Sequence, residues 1–176
     1  MRFFSAVLIL GVVFGGVTPA MAVDGYKSLK FGMTMKQVAN EKTCSFRAFS
    51  DDGEEPALEC DDFTFGKTKT NAYAYFIDGK FMRFVIDLPD YRDIDAVVSG
   101  LSEKYGEQTS SSTEQEFSAI EQTPNAQVYM SFDKDTVYVM QVSDEDMNQS
   151  AMLVYTDINF DDLNENRAKN AVSDDL

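Results

Sequence analysis

Carboxylates are the side chains best supplied to do chemistry in this chain, because the imidazoles that most often do it are missing. The 176 residues include 30 Asp and Glu but no His. Without His there is no Ser-His or Cys-His nucleophile pair, and zinc loses its commonest ligand. The sequence also lacks a Gly-rich phosphate loop and a G-x-S-x-G elbow. Two facing carboxylates would serve a hydrolase of the glycosidase type. With so many acids, however, some close pair arises by chance, so that chemistry requires an acid buried against aromatics with a raised pKa. A carboxylate-dependent hydrolase is therefore carried as an alternative.

Cation binding is the next chemistry to weigh. Asp157-Ile158-Asn159-Phe160-Asp161 matches the first three ligand positions of a calcium loop. Asp162 then stands where the loop's turn needs Gly, and Ala168 where its bidentate Glu belongs. Asp144-Glu145-Asp146 and Asp51-Asp52-Gly53-Glu54-Glu55 read as solvated acidic loops. No metal ligand set and no cofactor motif is assigned, and a cation- or small-ligand-binding protein stays as a further alternative. Cys44 and Cys60 are the two cysteines, sixteen positions apart. Their spacing is not the Cys-x-x-Cys of redox-active pairs, so they are expected to form a structural disulfide.

The aromatic residues offer a candidate contact surface. With fourteen Phe and eight Tyr but no Trp, most Phe are expected in the core. Over 128–142, Val128, Met130, Phe132, Val137 and Val139 alternate with Tyr129, Ser131 and Tyr138. The first set suits the core. The second set, with Tyr155 joining from the next strand, makes a candidate partner-contact face, since Tyr combines a large rigid area with a polar tip. The alternative is that these tyrosines lie under a loop or merely shield the sheet.

The elements that must position these residues follow from capping and periodicity. Thr34 and Gln37 form a capping box, with Met33 and Val38 as its hydrophobic staple. Leu29-Lys30-Phe31-Gly32 reads as a short strand and a turn, leading into a helix over 35–42. From Leu58 to Leu88 the sequence is strand-like, turning at Asp78-Gly79. Asp90 is expected to cap a second helix whose Ile94, Val97, Val98, Leu101 and Tyr105 form one stripe, with Gly106 as its stop. Residues 107–125 read as a polar linker or mobile loop. Strands follow over 128–132 and 137–140, joined at Lys134-Asp135, and over 151–156. The fold class is accordingly α+β: an antiparallel sheet with helices packed on one face, arranged as helix-then-strands twice over, in half-repeats 26–88 and 89–156. The other face of the sheet is left open or partly covered.

Met1-Arg2, the apolar run to Val17 and Ala20-Met21-Ala22 read as an export signal over 1–22, cleaved before Val23. The working domain is then 23–160, followed by an acidic, flexible tail over 161–176. Removal of Arg2 with the leader leaves 14 basic against 30 acidic residues, a net charge of −16. Such a surface repels nucleic acid and anionic lipid, and favours a basic protein as partner. No membrane insertion is expected once the leader is removed. The oxidising compartment outside the cytoplasm suits the disulfide.

Phe31-Gly32-Met33-Thr34-Met35-Lys36-Gln37-Val38 resembles the GMT-x-x-x-V opening of small exported bacterial modules. These include the SmpA/OmlA-type lipoprotein of outer-membrane assembly and the tandem modules of β-lactamase inhibitory protein. Asp78-Gly79-Lys80-Phe81 and Glu103-Lys104-Tyr105-Gly106 are similar to the hairpin and helix stop of such proteins. The resemblance spans roughly 26–156 and implies a periplasmic, non-enzymatic, inhibitor-like module that binds protein through an open sheet face. Because no lipid-anchoring Cys and no counterpart of the inhibitor's contact loop are present, no functional residue transfers.

Overall fold

The computed structural model describes residues 22–49 and 57–174. Residues 1–21 of the segment expected to be an export signal, and the acidic run around Asp51–Glu55, lie outside them.

The chain opens with a two-stranded ribbon, β1 (Gly25–Tyr26) and β2 (Leu29–Lys30). Helix α1 (Met35–Ala39) follows with both halves of its capping box made: Gln37 N–H donates to Thr34 Oγ1, and Thr34 N–H donates to Gln37 Oε1 at 2.8 Å. It stops three residues short of the expected end, with Asn40 as its C-cap.

Four strands come next: β3 (Arg47–Phe49), β4 (Ala57–Phe65), β5 (Thr68–Ile77) and β6 (Lys80–Asp87). Asp78 and Gly79 both have positive φ (50° and 72°), as a tight right-twisting hairpin turn demands. Asp90 caps a 3-10 turn, Tyr91–Asp93, which leads into α2 (Ile94–Tyr105). A second set of strands is formed by β7 (Ser110–Ser111), β8 (Gln127–Phe132), β9 (Val137–Ser143) and β10 (Gln149–Thr156). Helix α3 (Glu114–Ala119) lies between β7 and β8, and α4 (Phe160–Asp174) closes the chain.

Two expectations need correction. The stretch 107–125 is not a bare linker. It carries β7 and α3, and α3 is started by a second capping box, Thr113 with Glu116, whose N–H and hydroxyl bonds to Glu116 Oε2 are 2.7 and 2.8 Å. Ile120 fixes the stretch to the body of the protein by burial. Nor is the segment from 161 a flexible tail, since α4 runs through it. Its Phe160 packs with Ile77 and Met82, and Asp161 and Asp162 in the first turn suit the positive end of the helix dipole.

Strands β3 to β10 form one antiparallel sheet in the order β3-β4-β5-β6-β10-β9-β8-β7. Each half is a helix followed by a four-stranded meander. The last strand of one half, β6, pairs antiparallel with the last strand of the other, β10. The helix-then-strands repetition is thus present in the topology, and the fold is α+β.

The register separates the two faces. Met130, Val139, Leu153, Ile86, Ala72 and Cys60 stand in one cross-strand row, and Phe132, Val137, Tyr155, Phe84, Ala74 and Leu58 in the next. These rows belong to the main core, together with Leu29, Val38 and Leu101 from the ribbon and helices. Tyr26 enters the same core, with ring centroids 5.3 Å from Phe84 and 4.9 Å from Tyr155. The ribbon and helices α1, α2 and α3 therefore cover this face. Helix α4 begins on the opposite one, where Arg83 stacks on Phe160, its guanidinium 3.6 Å from the ring centroid.

Candidate functional site

The face opposite the core is built by the alternate residues of the same strands. One row crosses all eight: Arg47, Glu59, Tyr73, Val85, Val154, Tyr138, Ser131 and Ser110. The neighbouring row runs Asp87, Met152, Met140 and Tyr129, and the next Ser150, Val142 and Gln127. A lane of Tyr129, Met140, Val142 and Met152 results, half-buried except for Tyr129, which is 39% exposed. Such a lane is rich in thioether and aromatic surface and bare of charge until it reaches Asp87. Helix α4 covers the part of this face around Tyr75, Ile77 and Met82.

The four residues expected to form the contact face do not stay together. Tyr129 and Tyr138 share the open face. Ser131 lies on it but is 3% exposed, too enclosed to meet a partner. Tyr155 belongs to the other face, 5% exposed in the main core. The cause is register: Tyr155 pairs with Val137 and Phe84, so it points with them toward the helices. Burial and a hydrogen bond with Tyr105 push its hydroxyl pKa far up. Burial also raises that of Tyr138, beside Arg83 and Asp161.

Sequence reasoning missed Met140, Met152, Tyr73 and Asp87. Burial pushes the Asp87 carboxyl above its ordinary value, although Asn71 Nδ2 donates to it at 3.3 Å and the Tyr73 hydroxyl also bonds it. Asp61, which lines the same shallow hollow, is held low by the Arg47 guanidinium at 2.8 Å. A carboxylate hydrolase would need two facing acids, and of these two Asp61 is exposed and engaged by Arg47.

A second concavity lies between α2, α3 and strands β8 and β9. It measures about 430 Å³ and is lined by Ile94, Val98, Phe117, Ile120, Val128 and Gln141 among others.

The acidic loops at 144–148 and 157–161 are occupied by their own hydrogen bonds. Asp157 Oδ1 accepts from Asn159 N–H and Nδ2, both at 2.9 Å, while Asp161 is taken by Arg83 at 2.7 Å. The Asp144 carboxyl accepts three hydrogen bonds, from the Asn148 side chain, the Asn148 N–H and the Asp146 N–H, which keep it below the usual range. Cys44 and Cys60 are joined, with Cα atoms 6.1 Å apart. Asp62 sits beside them, but a disulfide offers no thiolate to a metal. Among the described residues no helix is long and apolar enough to cross a membrane.

A family model described as "Uncharacterised protein" matches residues 26–175, and the chain belongs to that family. A Haemophilus influenzae protein, itself described as uncharacterized, is 35% identical over 159 residues, which is 89% of each chain. One from Pasteurella multocida, described in the same way, is 33% identical over 98 residues, 51% of this chain and 50% of that one. No solved structure matches.

Proposed function

We propose that this chain is an exported, non-catalytic module that binds a basic protein through the open face of its sheet, in the manner of an inhibitor or assembly accessory. The observation that carries this reading is the lane of Tyr129, Met140, Val142 and Met152 on a sheet whose other face is covered by the ribbon and three helices. Tyr is enriched at binding hot spots, and Met surfaces adapt to a partner's shape. The net charge of −16 after leader removal would steer a cationic partner and weaken the association as salt rises. A periplasmic or secreted location is supported by the leader pattern and by the Cys44–Cys60 bridge, which persists in oxidising compartments.

The test is capture of partners by the oxidised protein beginning at Val23, from periplasmic extract at low and high salt. The reading expects one protein held at low salt, released at high salt, and not held by a Tyr129→Ala/Met152→Ala variant. Equal capture by that variant would move the contact elsewhere on the molecule.

The concavity between α2 and α3 favours a second reading, a small-ligand-binding protein. Its volume falls within the ~300–1,000 Å³ of small-molecule sites, and its lining mixes apolar Ile94, Val98 and Phe117 with polar Asp95, Glu121 and Gln141. An apolar fluorescent probe displaced by a Phe117→Arg substitution would support it.

A further inference from the structure

We propose that Asp133 is a built receptor for the α-ammonium group that export processing creates at Val23, so that removal of the leader completes the fold. The inference rests on the export reading above. Ala20-Met21-Ala22 places the scissile bond directly before Val23. The Val23 backbone N–H donates to Asp133 Oδ2 at 2.8 Å, a half-buried contact across 110 positions of sequence. The Val23 side chain packs against the main core.

The acceptor is held in place from its own side. Asp133, Lys134 and Asp135 have φ of 50°, 58° and 65°, a turn of three successive left-handed residues. Thr136, 1% exposed, bonds back from its hydroxyl to the Asp133 carbonyl at 2.6 Å and to Asp133 Oδ2 at 3.4 Å. The other charges nearby have partners of their own. Asp24 pairs with Lys30 at 2.8 Å, and Asp135 accepts from Thr109 and Ser110 at 2.7 and 2.8 Å. Lys134, the cation of the turn, has an interaction of its own and is exposed.

Hydrolysis of the Ala22–Val23 peptide bond consumes one water, leaving a carboxylate on Ala22 and an amine on Val23 that takes up a proton near neutral pH. The neutral N–H contact to Asp133 thereby becomes a charge-assisted one, roughly twice as strong. It pins the start of the ribbon whose Tyr26 sits among Phe63, Phe84 and Tyr155. Cleavage one residue away would move the ammonium by about 3.5 Å along the chain and forfeit the contact.

The experiment compares thermal unfolding at neutral pH and low salt of chains beginning at Val23 and at Ala22, each with Asp133 and with Asp133→Asn. An Nα-acetylated Val23 chain keeps the N–H and removes only the charge. The Val23 chain should melt roughly 3–6 °C above both the Ala22 chain and the acetylated chain, and the difference should vanish with Asp133→Asn. Equal melting of the three Asp133 chains, or a difference that survives Asp133→Asn, overturns the proposal. N-terminal sequencing of the exported protein judges the export reading separately: a start at Val23 supports it. Any other start removes the processing step, while the melting comparison still decides whether the receptor geometry works.

Discussion

Helix α4 is docked on the sheet through Phe160, and the loss of that contact should be measurable. Phe160 is 8% exposed and packs on Ile77 and Met82, with the Arg83 guanidinium stacked at 3.6 Å on its outer side. Truncating a buried Phe to Ala costs about 3–5 kcal/mol. The small, peripheral cluster puts Phe160→Ala near the lower end, about 3 kcal/mol, and loss of the stacked cation adds about 1 kcal/mol. Arg83→Met keeps the stem but loses the stack, the bond to Thr156 Oγ1 at 3.2 Å and the pair with Asp161. Because Asp161 is 84% exposed, that pair is screened and adds little, so Arg83→Met should cost about 1–2 kcal/mol. In the double variant the Arg83 change should cost about 1 kcal/mol less than it does alone. Urea titration followed by far-ultraviolet circular dichroism reads these values. It should also show helical signal lost before the main transition, because a 15-residue helix is marginal in water without its packing. Unchanged midpoint and helical signal in Phe160→Ala would refute the docking of α4 and return the end of the chain to a flexible tail.

Two further outcomes follow from the same packing. Opening the Cys44–Cys60 bridge, by reduction or by Cys44→Ala/Cys60→Ala, should cost about 3 kcal/mol for a loop of sixteen positions, read as a fall in the urea midpoint. Asp87 titrates above the ordinary carboxylate range because burial disfavours its charge. The folded state therefore holds that proton to higher pH than the unfolded state does, and the group's contribution falls as pH rises from the unfolded value through the folded one. Asp87→Asn should flatten this part of the stability profile as pH rises above the ordinary carboxylate range, and raise the melting temperature at pH 7 relative to the wild type. Identical profiles for the two proteins would show that burial does not act on this carboxyl.

Local rules carried much of the fold. Thr34 with Gln37, the Asp78-Gly79 turn and the stripe of α2 each have a short-range signature, and each lies where that signature points. The second capping box, Thr113 with Glu116, has the same signature, but a Ser- and Thr-rich composition around it masked the reading. Helix α4 was illegible for a different reason. It has no apolar stripe, and its order depends on Phe160 meeting Ile77 and Arg83, more than 75 positions earlier. The contact face failed in the same way. Alternation assigns residues to faces within one strand, whereas which face of β10 joins which face of β9 is set by register across the Asp144–Asn148 turn. That register sends Tyr155 into the core and brings Met140 and Met152 beside Tyr129.

The central claim is that a partner docks on the Tyr129–Met140–Met152 lane. Its most direct test places a photo-crosslinking residue singly at Tyr129, Met152, Lys36 and Ala96 in the oxidised protein starting at Val23, irradiated in periplasmic extract at low salt. Positions 129 and 152 lie on the open face, whereas 36 and 96 are exposed on the helices of the other side. The account predicts one common adduct from 129 and 152 and none from 36 and 96. An adduct from 36 or 96, with none from the sheet, would contradict it.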